Sequence, residues 1–187
     1  MLDWETAFFL PSEHILHQNT LLTTLPTLAK EWRVSFELNP RNYDYRSFAQ
    51  VLQITKGGKS GNIGDRTPAL WIHRSKGVYL ATTLQGKANV GKFFRSKKPP
   101  LNEWTAVEIS QIKQGAKYMF SFVMQGETLW SVENSSPRQF SDVQVFACSP
   151  WYTEQAGSIR KFKIENMMPG EKTNNSQSYN LLCSDLW

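Results

Sequence analysis

The chain has 187 residues, of which 40% are hydrophobic and 13% aromatic, which is enough for one well-packed domain and short for two. It contains no run of about 18 apolar residues, so we expect no membrane span. The net charge of +5 is far below the basic excess of a dedicated nucleic-acid-binding protein, and we expect no nucleic-acid partner.

The start of the chain, from Met1, lacks the basic and apolar regions of a signal peptide. Two interpretations are open at this stage. Either the protein is cytosolic, or the chain is a mature or excised domain that carries an initiator methionine.

The first strand pattern lies at residues 32–38, where apolar and polar side chains alternate before a break at residues 39–40. This alternation places four side chains on one face of the strand: Trp32, Val34, Phe36 and Leu38. Further β-rich segments, each bounded by turn residues, cover residues 48–55, 69–74, 78–84, 104–112, 118–124, 128–133, 143–148 and 159–165. The strongest hairpin signal is the pair of segments on either side of Gln125 and Gly126. Residues 104–112 do not alternate cleanly, which predicts a bulge or a strand buried on both sides.

Residues 87–98 carry the densest positive charge in the chain and no acidic residue. Their basic residues are Lys87, Lys92, Arg95, Lys97 and Lys98. We expect a solvated loop between strands, and the alternative is a contact for anionic glycans, acidic lipid head groups or nucleic acid. Phe93 and Phe94 suit stacking on a ligand or burial at alternate strand positions equally well.

These patterns predict about ten strands and no helix, which leaves a two-sheet sandwich or a closed barrel. The uneven loop lengths favour the all-β, two-sheet antiparallel sandwich. We expect a single domain over residues 1–168. Residues 169–187 form a polar tail, whose last apolar side chains are candidates to dock back onto the domain.

Three segments, in this order, resemble laminin-G-like and concanavalin-A-like lectin domains. Residues 25–40 place a Leu-Pro stretch before a Val-Ser-Phe strand, residues 102–111 match a central Trp-containing strand, and residues 151–164 match the closing Gly-x-Ile strand. Residues 57–71, with Gly-Asp-Arg-Thr-Pro-Ala-Leu-Trp, look like an animal subgroup of these domains. The resemblance implies a jelly-roll of two packed antiparallel sheets. It implies function much less, because the fold serves lectins, adhesion modules and glycosidases.

The sequence lacks the patterns that catalysis on this fold requires. Glucanases of the fold carry a Glu-x-Asp-x-x-Glu strand, because two carboxyl groups must flank one glycosidic bond. No such strand is present, and Glu103 and Glu108 are five positions apart, on opposite faces of a regular strand. The Gly-Lys-Ser at residues 58–60 lacks the spacing of a phosphate-binding loop. The Trp104 segment also lacks the residues expected of a galectin. We therefore expect no enzyme activity.

Two pairs of residues in the middle of the chain are candidates for a binding site. Trp71 and His73 lie on one strand face, where they form either a sugar platform or part of the core. Asp65 and Arg66 follow a glycine-rich loop, where they form either a local salt bridge or a ligand site at the loop rim. A calcium ion at that rim would take oxygen ligands from Asp65, Asn62 and Asp44, although nothing in their spacing demands it, and we expect no other cofactor.

Two loops carry further aromatic candidates, since exposed loop aromatics are better indicators of binding than strand aromatics. Trp151 and Tyr152 lie in a loop after Ser149 and Pro150. Tyr43 and Tyr45 lie in a loop rich in arginine.

The chain has two cysteines, Cys148 and Cys183, which are either bridged or free. We favour an extracellular or cell-surface domain, with a cytosolic location still open.

The first functional hypothesis is a non-enzymatic recognition domain that binds a glycan or glycoprotein. A second is an adhesive or structural module with a protein partner, and a third is a glycoside hydrolase with a carboxylate pair that no motif reveals.

Overall fold

The computed structural model describes residues 3–43 and 48–168. Within these ranges the chain forms thirteen β-strands and no helix. The strands are β1 (Asp3–Leu10), β2 (His14–Ile15), β3 (Thr20–Leu28), β4 (Trp32–Pro40), β5 (Phe48–Thr55), β6 (Ala69–His73), β7 (Gly77–Leu84), β8 (Lys87–Phe94), β9 (Thr105–Gln114), β10 (Lys117–Met124), β11 (Glu127–Glu133), β12 (Phe140–Cys148) and β13 (Gly157–Met168). The described part of the chain contains no helix long and apolar enough to cross a membrane.

The strands form two antiparallel sheets that pack face to face. The first sheet has the order β1-β13-β4-β9-β10-β11, with β2 also paired to β13, and the second has the order β3-β12-β5-β6-β7-β8. Side chains from both sheets meet in one hydrophobic core, in which Val34 and Ile109 of the first sheet join Leu70 and Leu80 of the second. The predicted all-β, two-sheet antiparallel sandwich is confirmed.

In strand β4, the alternation of apolar and polar residues correctly predicts which side chains are buried. Its predicted inward residues Trp32, Val34, Phe36 and Leu38 are all buried in the core, and the residues between them are partly exposed. The β10–β11 hairpin is also confirmed, and its turn residues Gln125 and Gly126 both have positive φ, of 51° and 75°. Positive φ at both turn positions matches the twist of the two strands.

The structure corrects three expectations about the elements. Strands β1, β2 and β3 precede the first predicted strand, so the count exceeds the prediction. β3 lacks clean alternation and contains Pro26, which a strand at the edge of a sheet tolerates. Strand β9 begins at Thr105, so Trp104 lies just before the strand rather than within it. The strand pairs with β4 and β10 without a register shift, so of the two predicted alternatives the bulge is absent, whereas burial on both sides holds at Ile109, Ser110 and Gln111.

The third correction concerns the basic segment. Residues 87–94 form the edge strand β8 rather than a loop. Phe94 enters the core, while Phe93 pairs with Tyr79 of β7 on the opposite face. Several of the cations are engaged locally: Lys97 pairs with Glu127 at 2.6 Å, and the Lys92 ammonium lies 5.5 Å from the centre of the Phe94 ring.

Candidate functional site

The outer face of the second sheet, which points away from the core, carries a row of aromatic side chains. Trp71 of β6 lies opposite Tyr79 of β7, which lies opposite Phe93 of β8. Phe48 of β5 lies opposite His73, on the same face. Residues directly opposite one another on neighbouring strands share a face of the sheet, so the strand register brings these rings together.

The rings form one continuous cluster. The ring centres of Tyr79 and Phe93 are 4.6 Å apart, and those of Phe48 and Tyr79 are 5.6 Å apart. Trp71 contacts Tyr79 at 5.6 Å and Tyr152, from the loop after β12, at 5.3 Å. We call this surface, formed by Phe48, Trp71, Tyr79, Phe93 and Tyr152, the aromatic face.

The next row of the same face consists of small residues. Ala69, Ala81 and Gly91 lie opposite one another on β6, β7 and β8. A Cβ atom on Gly91 would lie 1.9 Å from the Tyr79 hydroxyl oxygen, so the tyrosine ring occupies space that only glycine leaves open. The absent side chain at Gly91 therefore sets the position of Tyr79.

The aromatic face is concave. Five rings and one guanidinium group line a depression of about 260 Å³: Phe48, Arg66, Trp71, Tyr79, Phe93 and Tyr152. This volume is just below the range of about 300–1,000 Å³ usual for small-molecule sites, and it suits a ring-sized group better than an entire long ligand. Trp71 is only 1% exposed and forms the base of the depression, whereas Phe48 is 37% exposed at its rim.

Arg66 connects the base of the depression to its rim. Its side chain is 7% exposed, and its guanidinium carbon lies 4.7 Å from the centre of the Trp71 indole. Nη1 donates a hydrogen bond of 2.7 Å to Asn89 Oδ1, and Nη2 donates one to the Tyr152 hydroxyl. The Arg66 Nε–H and the Trp71 Nε1–H are buried, and neither has a hydrogen-bond acceptor among the described residues. A buried donor without an acceptor costs about 1–3 kcal/mol, so such donors usually have a reason to be retained.

A buried glutamine holds the loop that supplies Tyr152. Gln50 is fully buried, and its Oε1 accepts a hydrogen bond of 2.8 Å from the Ser149 backbone N–H. Its own backbone bonds to the carbonyl of Thr153 and to the N–H of Gln155, which adds the loop to the edge of β5. The position of Tyr152 is therefore set by hydrogen bonds to the sheet rather than by the loop alone.

His73 supports the aromatic face from one side. Its ring contacts Phe48 at 4.9 Å, and its Nδ1 accepts the backbone N–H groups of Ser75 and Lys76 at 3.2 and 3.1 Å. Burial, together with the charges of Lys76 and Lys98, lowers the pKa of His73, so the ring is neutral at pH 7. Trp71 and His73 share one strand face, which was predicted to be either a sugar platform or part of the core. That face is the outer one, but both side chains are buried, and the accessible rings belong to other residues.

The structure gives Asp65 a local role. Its Oδ2 accepts the Asn62 backbone N–H at 2.7 Å, and no salt bridge joins it to Arg66. Of the two alternatives for this pair, the local salt bridge is therefore absent, because Arg66 turns toward Asn89 and Tyr152 instead. The described residues contain no group of three or more His, Cys, Asp or Glu side chains able to hold a metal ion. Asp44 lies outside the described residues, and the calcium prediction gains no support.

The remaining candidates lie apart from the depression. Trp151 packs against Phe146, with ring centres 6.4 Å apart. The Tyr43 hydroxyl donates to the carbonyl of Pro99, and burial raises the pKa of Tyr43 to about 12. Tyr45 lies outside the described residues.

Cys148 has a buried thiol with no disulfide partner in the described part of the chain, and its Sγ lies 3.4 Å from the Tyr152 carbonyl oxygen. Burial, with a smaller contribution from the charge of Glu154, raises the pKa of this thiol to about 12. Cys183 lies outside the described residues, so both alternatives for the two cysteines, bridged or free, stay open.

Sequence reasoning missed three members of the site, Phe48, Tyr79 and Asn89, and left Phe93 open between stacking on a ligand and burial. Tyr79 and Phe93 were visible as aromatics, but only the register of β7 and β8 shows that they face Trp71. The placement of Trp71 and His73 two positions apart on one strand was the one available signal for such a surface.

The chain matches no protein-family profile and no curated protein sequence. Its fold is similar to that of solved β-sandwich domains. The CBM40 domain of the IT-sialidase from Ruminococcus gnavus, solved with α2,3 sialyllactose, matches with a TM-score of 0.53 and 11% identity, over 84% of this chain and 94% of that domain. Domain 4 of a GH43 extracellular arabinanase from Geobacillus stearothermophilus, solved with arabinotriose, matches with a TM-score of 0.51 and 14% identity, over 84% of each chain.

The receptor-binding domain of botulinum neurotoxin type G matches with a TM-score of 0.51 and 13% identity, over 89% of this chain and 42% of that one. This chain thus spans less than half of the neurotoxin domain. At such identities the similarity concerns the fold, and the site must be argued from its own residues.

Proposed function

We propose that this chain is a non-catalytic carbohydrate-binding domain, and that the sugar binds in the depression of the aromatic face. The observation that carries this proposal is the depression itself, in which accessible rings surround a buried arginine. The apolar C–H faces of sugars pack on aromatic rings, while their hydroxyl groups need hydrogen-bond partners beside those rings. Tyr79, Tyr152 and Arg66 supply both kinds of contact within one concave surface.

The solved neighbours agree with this proposal. Two of them are domains solved with an oligosaccharide, and each is nearly the same size as this chain. An extracellular or cell-surface location belongs to the same proposal, as does the relation to laminin-G-like domains.

A glycoside hydrolase is less well supported. The outer face of the first sheet has its own depression of about 380 Å³, and Glu37 of β4 and Glu108 of β9 both line it. Glycoside cleavage requires one carboxyl group to be protonated as a general acid, which calls for a raised pKa. Hydrogen bonds from Lys161 and Arg160 lower the pKa of Glu37, and Glu108 lies 3.6 Å from Arg33. These carboxylates are arranged as ion pairs on a surface without an exposed ring cluster.

A glycan array probed with the purified chain, with and without calcium, tests the proposal. Phe48→Ala and Phe93→Ala should weaken binding by about fivefold or more, because a lost ring contact is worth roughly 1 kcal/mol. Phe9→Ala is the matched control, since Phe9 is 52% exposed on β1 of the first sheet. A blank array, or equal losses in all three variants, would contradict the proposal and shift weight to a protein partner.

A further inference from the structure

Arg66 is a buried cation that has no counter-ion among the described residues. Only 7% of this residue is exposed, yet no carboxylate of the described residues lies within ion-pairing distance of its guanidinium. Arg33 and Arg160, which are more exposed, each pair with a glutamate. Burying a charge is costly unless an opposite charge or several hydrogen bonds compensate it. The most buried of these three arginines is therefore the one that has no ion-pair partner among the residues that the structure describes.

The contacts that Arg66 does make leave part of its donor capacity unused. A guanidinium group carries five N–H donors. Asn89 and Tyr152 each accept one, and the Nε–H has no acceptor among the described residues. Trp71, whose own indole N–H also lacks an acceptor, stacks below the guanidinium plane. The guanidinium is thus held in place, while some of its N–H donors have no acceptor within the ranges that the structure describes.

The surroundings of the aromatic face are positive. The Lys59 ammonium lies 5.2 Å from the centre of the Tyr152 ring, and that of Lys76 lies 5.4 Å from the centre of the Phe93 ring. None of the residues that line the depression is acidic. Asp65, the nearest carboxylate along the chain, bonds to the Asn62 backbone N–H instead. Three cations around a concave surface with low-dielectric walls focus a positive potential into it.

We propose that the ligand of the aromatic face is an acidic sugar, whose carboxylate or sulfate group pairs with Arg66. This inference rests on the proposed carbohydrate-binding function and names the class of sugar. An oxyanion would accept two parallel N–H donors from the guanidinium and supply the missing counter-charge, while the sugar ring packs on Tyr79 and Phe93. Lys59 and Lys76 draw the anion toward the depression and add to the salt dependence of binding.

Calorimetric titration of the wild-type chain with three matched oligosaccharides tests the inference. One carries uronic acids, one is its carboxyl-reduced neutral counterpart, and one is a sulfated neutral counterpart. We expect one or both acidic ligands to bind about 10- to 100-fold more tightly than the neutral one, as a charge-assisted hydrogen bond would give. The acidic ligand that binds identifies the source of the oxyanion.

Arg66→Lys and Arg66→Gln extend the test to the protein. Arg66→Lys keeps the charge without the planar fork and should lose part of the preference, and Arg66→Gln should abolish it. Arg160→Gln, at an arginine stacked 4.1 Å from the Trp104 ring, is the matched control and should retain the preference. Thermal unfolding identifies a variant that fails to fold, and the comparison of ligands on the wild-type chain does not depend on any variant.

The outcomes separate the two proposals. Equal affinity for acidic and neutral sugars would overturn the role of Arg66 and leave carbohydrate binding intact. Binding of no sugar of any class would overturn the proposed function itself. A preference for acidic sugars that persists in Arg66→Gln would also overturn the assignment to Arg66.

Discussion

The guanidinium of Arg66 lies 4.7 Å from the centre of the Trp71 indole, and both side chains are buried on the outer face of a sheet rather than between the sheets. A second pair of the same type joins Arg160 and Trp104 at 4.1 Å, but both of its members are partly exposed. The two pairs have the same chemistry but differ in burial. Comparing them therefore measures how much burial of the tryptophan contributes to the free energy of unfolding.

Trp71→Ala should lower the free energy of unfolding by about 3–5 kcal/mol, because it removes a large buried ring and leaves a cavity under Arg66. Trp104→Ala should lower the free energy of unfolding much less, because the Trp104 indole is partly exposed to solvent. Urea unfolding of both variants gives the comparison. Similar losses in the two variants would contradict the buried position of Trp71.

Gly91→Ala should displace the Tyr79 ring and weaken sugar binding while the sandwich remains folded. The new Cβ would meet the Tyr79 hydroxyl at 1.9 Å, whereas a Cβ on Gly61 would meet nothing within 4 Å. Gly61→Ala is therefore the control. Calorimetry reports affinity and circular dichroism reports the fold; unchanged affinity in Gly91→Ala would argue that Tyr79 takes no part in binding.

Gln50→Ala should release the loop that carries Tyr152, because it removes the acceptor of the Ser149 N–H and the donor to Gln53. We expect a loss of about 1–3 kcal/mol in stability and faster hydrogen exchange over residues 149–155. The affinity for the sugar should also fall, because Tyr152 would no longer be held in position. Unchanged exchange in that loop would show that Gln50 does not anchor it.

The unfolding free energy should fall as the pH drops from 7 toward 5, through His73. Its folded-state pKa lies below the unfolded value of about 6.5, so the unfolded chain takes up the proton first. The stabilisation is complete above that unfolded pKa and is lost as the pH falls through the folded pKa. His73→Asn should flatten this dependence, whereas His17→Asn, at an exposed position, should not.

Cys148 should resist alkylation by iodoacetamide at pH 8 in the folded protein. Its thiol is buried with a pKa of about 12, so almost none of it is thiolate at that pH. In urea the same cysteine should react quickly. Peptide-resolved mass spectrometry distinguishes it from Cys183, and rapid labelling of Cys148 in the native state would contradict its burial.

The fold was accessible from the sequence because alternation along strands such as β4 directly reflects which side chains enter the core. The site was only partly accessible. Tyr152, Arg66 and Trp71 were identified as candidates, since aromatic and basic residues near glycine and proline are conspicuous in any sequence. Their meeting on one face was not predictable.

Phe48 shows why the sequence pattern did not reveal which side chains share the outer face. Regular alternation would put Phe48, Gln50 and Leu52 on one face of β5, but the register shifts between Gln50 and Leu52. Phe48 and Gln50 therefore point outward while Leu52 enters the core. Such a shift depends on pairing with β6 and leaves no trace in the local pattern. Phe93 was left open between stacking on a ligand and burial, because the charges around it suggested a loop where the chain forms an edge strand.

The most direct test of the central claim is to map the binding surface by chemical-shift perturbation, with an acidic oligosaccharide titrated into isotope-labelled protein. We predict that the largest shifts cluster on the outer face of the second sheet, at Phe48, Arg66, Tyr79, Phe93 and Tyr152. Shifts centred instead on Ser35, Glu37 and Glu108, on the outer face of the first sheet, would contradict the assignment of the site.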